Sequence, residues 1–106
     1  MDINEEIIRT KIKEQIRYYN SDAEVLLFGS HARGDYRKDS DWDILILLNQ
    51  TNVCREDEKT YRDLLFDVEL ETGEAISTFV FSKSDWINRH SSTPFYSNIA
   101  RDGVLL

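Results

Sequence analysis

Residues 24–48, EVLLFGSHARGDYRKDSDWDILILL, decide the fold. The stretch opens with a short apolar run, 24–28, that ends at Gly29-Ser30, which reads as a buried strand entering a turn. It closes with a stronger strand, 42–48, whose unbroken apolar segment 44–48 predicts burial on both faces. Between them, residues 31–40 hold no apolar periodicity beyond a short helical turn. Asp41 and Asp43 stand at the mouth of the second strand. Side chains alternate along a strand, so both carboxylates project on one side, about 7 Å apart. Like charges that close repel and raise one pKa unless a cation lies between them. Ligands that are all oxygen suit a hard ion, Mg²⁺ or Mn²⁺, rather than zinc.

The turn ahead of the carboxylates has its own chemistry. Gly29 lets the backbone bend sharply and lets a ligand come close. Ser30 and the amides after it would sit at a helix start, which favours phosphate. Arg33 follows one turn later, where its guanidinium could reach the same oxygens, and Gly34 permits a second tight approach. Taken singly, Gly29-Ser30 is an ordinary strand-to-helix turn and Asp41 an ordinary cap beside Ser40. A phosphate grip and paired carboxylates on neighbouring strands are much harder to read as accidents.

Outward from this stretch, helices and strands alternate. Ile3, Ile7, Ile8, Ile12, Ile16 and Tyr19 recur at helical steps, which predicts an amphipathic helix over roughly 4–19. Tyr61, Leu64, Leu65, Val68 and Thr72 mark one face of a long helix, 55–72, with Gly73 as its C-cap. A third strand is expected over 75–81. Ser82 or Ser84 could cap a short helix holding Trp86. Thr93-Pro94 starts another helix that Gly103 closes, and 104–106 could add an edge strand. This order predicts a single α/β (α+β) domain over 1–106, in two layers around a small sheet. Trp42, Trp86, Tyr18-Tyr19 and Phe95-Tyr96 are expected to pack.

Composition excludes several classes. The 106 residues are 41% hydrophobic and 31% charged, with four Gly and one Pro, as in a globular domain. The longest apolar run is five residues, 44–48, far below the ~20 that cross a bilayer. The start of the chain is acidic and shows no signal peptide, and the lone Cys54 has no internal partner. A reduced cytoplasmic setting is expected. The net charge is −7, and residues 55–74, with eight acids against three bases, hold −5 of it. No strong nucleic-acid binding is therefore expected. Residues 29–40 carry three bases against two acids, a local +1 that suits a small polyanion.

Gly29-Ser30, ten intervening residues, and Asp41-x-Asp43, with Arg33-Gly34 inside, resemble the signature of the DNA polymerase beta-like nucleotidyltransferase superfamily. The short length is similar to its minimal nucleotidyltransferase branch, whose members often act as antitoxins beside HEPN-type toxins. The resemblance implies a nucleotidyltransferase fold with a mixed central sheet flanked by helices. It implies that Asp41 and Asp43 are catalytic and hold Mg²⁺ or Mn²⁺, that Gly29 and Ser30 hold the phosphates of a nucleoside triphosphate, and that Arg33 assists. ATP is the expected nucleotide, and a hydroxyl the acceptor of its AMP. The chain departs from the family at one point. A third carboxylate is usual on the next strand, where this chain has Ser77. Glu74 is the nearest substitute, with Glu71 and Glu69 behind it on the helix end.

Two functions follow. One is an enzyme that transfers a nucleoside monophosphate. The other is an antitoxin or regulatory module that acts by contact and keeps a weak or vestigial site. Either is expected to need a partner, a HEPN-type toxin or a second copy of the chain. His31 could contact phosphate or face solvent; His90 is expected to face solvent, and Cys54 to have no catalytic role.

Overall fold

The run that reads as doubly buried is the centre of the sheet. β2 (Trp42–Leu48) keeps residues 44–48 between 0% and 5% exposed. Its neighbours are β3 (Ile76–Ser82) on one side and β1 (Glu24–Phe28) on the other, and β1 in turn holds the short edge strand β4 (Val104–Leu105). The β2–β3 pair is parallel and the other two pairs are antiparallel, so the sheet is mixed. The parallel pair needs a crossover, which α3 (Arg55–Thr72) supplies. The computed structural model describes residues 3–106, with only the backbone of Ile3. The expected place of the Ile3 side chain in the apolar stripe lies outside the described residues.

Alternation along β2 splits the interior in two. Trp42, Ile44, Ile46 and Leu48 face a core made with α1 (Ile3–Tyr19) and α3, where Ile8, Ile12, Ile16, Tyr61, Leu65 and Val68 are buried. Leu45 and Leu47 face a smaller core with Trp86 of α4 (Lys83–Arg89) and Ile99 of α5 (Pro94–Asp102). Phe28, Phe81, Phe95 and Tyr96 surround that second core, half-buried. Helices therefore cover both faces, and the expected two layers become three. The last helix packs on the sheet through Ile99, Phe95 and Tyr96.

The element ends follow their cap residues. Gly73 takes the left-handed conformation (φ 76°) and its N–H reaches the Glu69 carbonyl at 2.8 Å, which stops α3. Asp57 accepts the Cys54 N–H at 3.1 Å, and that hydrogen bond, the largest cause, holds the Asp57 carboxyl below its usual range. Cys54 thus occupies the cap position of α3. Ser82 accepts from the Asp85 N–H at 3.0 Å and Thr93 from the Tyr96 N–H at 3.1 Å. Gly103 closes α5 with ordinary extended backbone, φ −66°.

Two further expectations change. The third strand lies one residue later than predicted, because Ser82 both ends it and caps α4, while the Ala75 carbonyl accepts from the Trp42 N–H at 2.8 Å. Tyr18 is 97% exposed rather than packed. It lies two residues from Ile16, off the face that Ile8, Ile12 and Ile16 share. Tyr19 is also largely exposed but meets Tyr61 edge-on at 5.5 Å.

Candidate active site

The parity that sends Leu45 and Leu47 to the second core sends Asp41 and Asp43 to its open end. In the sheet register Asp43 lies between Phe28 of β1 and Ser77 of β3. Asp41 is exposed and accepts a long hydrogen bond from the Ser77 hydroxyl, 3.4 Å. Asp43 is half-buried. Burial, and after it the charge of Asp41, push its carboxyl up from the usual range, while His31 and Arg33 pull it down. A second carboxylate at this position is therefore costly to ionise, and a cation would relieve that cost.

Gly29 makes room for Asp43. Its φ is 74°, where side chains are disfavoured. A Cβ built there would stand 2.1 Å from Asp43 Oδ2 and 3.1 Å from Cγ. Glycine is required twice over, by the backbone and by the carboxylate. α2 (Ser30–Arg33) begins at the next residue. The N–H groups of Ala32 and Arg33 donate to the Gly29 carbonyl and that of Gly34 to Ser30, at 2.9 to 3.1 Å. The amides before them, of Ser30 and His31, are those a helix start frees for a ligand.

A cavity of about 320 Å³ joins these pieces. Phe28, Gly29, Ser30, Arg33 and Asp43 line one side, and Phe95, Asn98, Ile99, Arg101 and Asp102 of α5 line the other. Phe28, Phe79 and Phe95 meet one another at 5.5 to 5.6 Å beside it. Arg33 is exposed; its Nε donates to Asp35 at 3.3 Å and a terminal nitrogen lies 4.0 Å from Asp102. Asp102 is held below the usual carboxylate range chiefly by its hydrogen bond from Arg101. Larger open grooves run between α1 and α3 (about 670 Å³) and beside β3 (about 600 Å³). The first holds none of the motif residues, and the second touches only Ser77.

The structure thus brings together Gly29, Ser30, Arg33 and Asp43 in one cavity, with Asp41 two residues away on the same side of β2. It does not bring Glu74 there. Glu74 lines a groove with Asn4, Ile7, Ile8 and Lys11 of α1, on the other face of the sheet. Glu71 pairs with Lys11, and Glu69 shares the β3 groove with Ser77. Among the described residues no three His, Cys, Asp or Glu side chains converge as a metal site. The donor set is two carboxylates with the Ser77 hydroxyl beside them, oxygen throughout, which fits a hard divalent cation better than zinc. His31 does not face solvent: it is 5% exposed. His90 is half-buried against Phe81, 4.8 Å between ring centroids. Asn98, Arg101 and Asp102 have no signal in the sequence beyond the polar face of an amphipathic helix.

Comparison with known proteins agrees with this fold. The nucleotidyltransferase domain profile matches residues 8–88. Two proteins of Methanocaldococcus jannaschii are similar in sequence. Putative protein adenylyltransferase MJ0604 is 33% identical over 90 residues, covering 85% of this chain and 83% of that protein. Putative protein adenylyltransferase MJ0141 is 37% identical over 60 residues, covering 57% of this chain and 60% of that protein, under two thirds of its length. In structure, a chain of a toxin–antitoxin crystal structure with AMP-PNP superposes with a TM-score of 0.65 at 18% identity, over 91% of this chain and 69% of its own. A mutant of the MntA–HpeT toxin–antitoxin gives 0.64 at 19%, over 92% and 70%. The second pair of likenesses speaks to the fold alone. With the profile spanning most of the chain, the protein belongs to the nucleotidyltransferase domain family.

Proposed function

We propose that the chain transfers AMP from ATP to a hydroxyl of a protein partner, with Asp41 and Asp43 as its catalytic carboxylates. The observation that carries this reading is the shared cavity. The strand-end glycine, the helix start and Asp43 open onto one space, and Gly29 has no alternative residue that leaves Asp43 in place. In this reading Gly29 and Ser30 hold the outer phosphates through backbone amides and the serine hydroxyl, and Arg33 leaves Asp35 to meet a phosphate oxygen. Asp41 and Asp43 hold Mg²⁺ or Mn²⁺, which when bound would neutralise charge on the triphosphate and align it for in-line displacement. Asp43 faces the point where Gly29 turns, and Asp41, two residues before it, projects on the same side. The relatives named as protein adenylyltransferases support a protein acceptor, and the toxin–antitoxin folds support a HEPN-type toxin as partner, in the manner of the minimal nucleotidyltransferases. A cytoplasmic location and a single domain over 1–106 belong to the same reading.

Ser77 favours a second reading. It occupies the register position opposite Asp43 where a third carboxylate would complete the metal site. On that basis the chain is an antitoxin or regulatory module that acts by contact, on a toxin or as a homodimer, with slow or absent transfer.

Labelled ATP with Mg²⁺, purified protein and host extract separate the two. The first reading expects a labelled protein with wild type and a loss of at least about 1,000-fold, ~4 kcal/mol of barrier, with Asp41→Asn/Asp43→Asn. No label from any nucleoside triphosphate, with no Mg²⁺-dependent nucleotide binding, overturns it in favour of the contact module.

A further inference from the structure

Within α2 the side chains divide. Ser30 and Arg33 line the cavity, while His31 turns inward and is 5% exposed. Each edge and face of its ring is used. Nδ1 lies 2.9 Å from Oε1 of Glu5 on α1, and Glu5 is itself only 6% exposed. Nε2 lies 3.1 Å from the Ser40 carbonyl. Trp42 stacks on the ring at 3.9 Å and 12°, and Tyr36 stacks at 4.6 Å and 16°. The His31 carbonyl accepts from Arg9 of α1 at 3.3 Å. A neutral imidazole donates from one nitrogen and accepts at the other. Here both nitrogens are engaged, one by the buried Glu5 carboxyl and the other by the Ser40 carbonyl, so the ring is held at both ends.

These partners are not scattered. Ser40 is bonded to Asp41, and Trp42 separates Asp41 from Asp43. The segment 34–40 that leads to them is exposed for six of its seven residues and starts from Gly34 at φ 86°. One side chain thus ties the helix start after Gly29 to the chain just before the first carboxylate and to the ring between the two. We propose that His31, oriented by Glu5, is a positioning residue that sets the spacing between the Ser30–Arg33 turn and the Asp41–Asp43 pair. The inference rests on the reading of those residues as the nucleotide site.

The test removes the link without leaving a buried charge. In Glu5→Leu/His31→Phe the aromatic sandwich and the packing remain, and replacing a buried ion pair with apolar side chains is often neutral for folding. The double variant is expected to keep its thermal midpoint within a few degrees. Amide exchange over residues 36–42 should accelerate by at least about tenfold while α3 exchanges as in wild type. In the transfer assay kcat should fall by about 100-fold with KM for ATP changed less than about threefold, since the grip at Gly29 and Ser30 is intact and only alignment is lost. Glu5→Gln, which keeps an acceptor for the Nδ1 hydrogen, should restore most of the protection and of kcat. Wild-type exchange and wild-type kcat in the double variant would overturn the inference. Should wild type label no acceptor, the reading of the site falls, and the exchange comparison still decides: accelerated exchange upholds the role of His31, and unchanged exchange refutes it.

Discussion

The two faces of β2 do different work with the same strand. Toward α1 and α3 every second residue from Trp42 to Leu48 is buried, and so are the helix residues that meet them. Toward α4 and α5 the same alternation begins with Asp41 and Asp43, and only then reaches Leu45 and Leu47. The closed face supplies stability. The other gives up its first two places to charge, and its helices stand back far enough to leave the cavity. A strand that were amphipathic in the usual way would have put those carboxylates in open water, without the burial that raises Asp43.

The comparison can be broken from either side. Leu65→Ala, on the closed face at 0% exposure, should cost about 3 kcal/mol of unfolding free energy, as buried Leu-to-Ala changes do. Transfer per folded molecule should stay at the wild-type rate; denaturant titration beside the labelling assay checks both. A loss of rate without a loss of stability would mean that the faces are not independent. Gly29→Ala should do the opposite. Its Cβ displaces Asp43, so transfer should drop by at least about 100-fold, ~2.7 kcal/mol of barrier, with a loss of stability of about 1–3 kcal/mol from a backbone conformation (φ 74°, ψ −158°) that is essentially glycine's alone. Ser77→Asp sharpens the contrast. A third carboxylate in the row should raise transfer by about tenfold at saturating Mg²⁺. It should lower the melting point of the metal-free protein by adding a like charge next to Asp41 and Asp43. A variant no faster than wild type would favour the contact-acting module.

Much of this was legible in the residues. The apolar run 44–48 marked the central strand because only a strand covered on both sides is apolar at every position. Gly73, Ser82 and Thr93 marked helix ends because their chemistry is local. The glycine–serine turn and the paired aspartates could be placed together because each sits at a strand end of known polarity. What could not be read depends on contacts between distant elements. The wall of Asn98, Arg101 and Asp102 exists only because α5 folds back over β1 and β2. Glu74 looked near the carboxylates along the chain, but it lies on the other face of the sheet with α1. The fate of His31 was set by Glu5, 26 residues away on α1, a partner that no spacing rule within the motif could name.

Trp42 has a further consequence. It is one of two tryptophans in the chain, it lies between the two aspartates, and an imidazole stacks against its indole at 3.9 Å. A histidine ring in such contact quenches indole emission, so the brightness of Trp42 reports how closely the two rings lie. With Trp86→Phe the remaining fluorescence comes from the strand mouth alone. A cation or nucleotide that draws Asp41 and Asp43 together would shift the ring between them and change the light it emits. The protein is then its own optical gauge, and occupancy of the site can be followed in real time without a label.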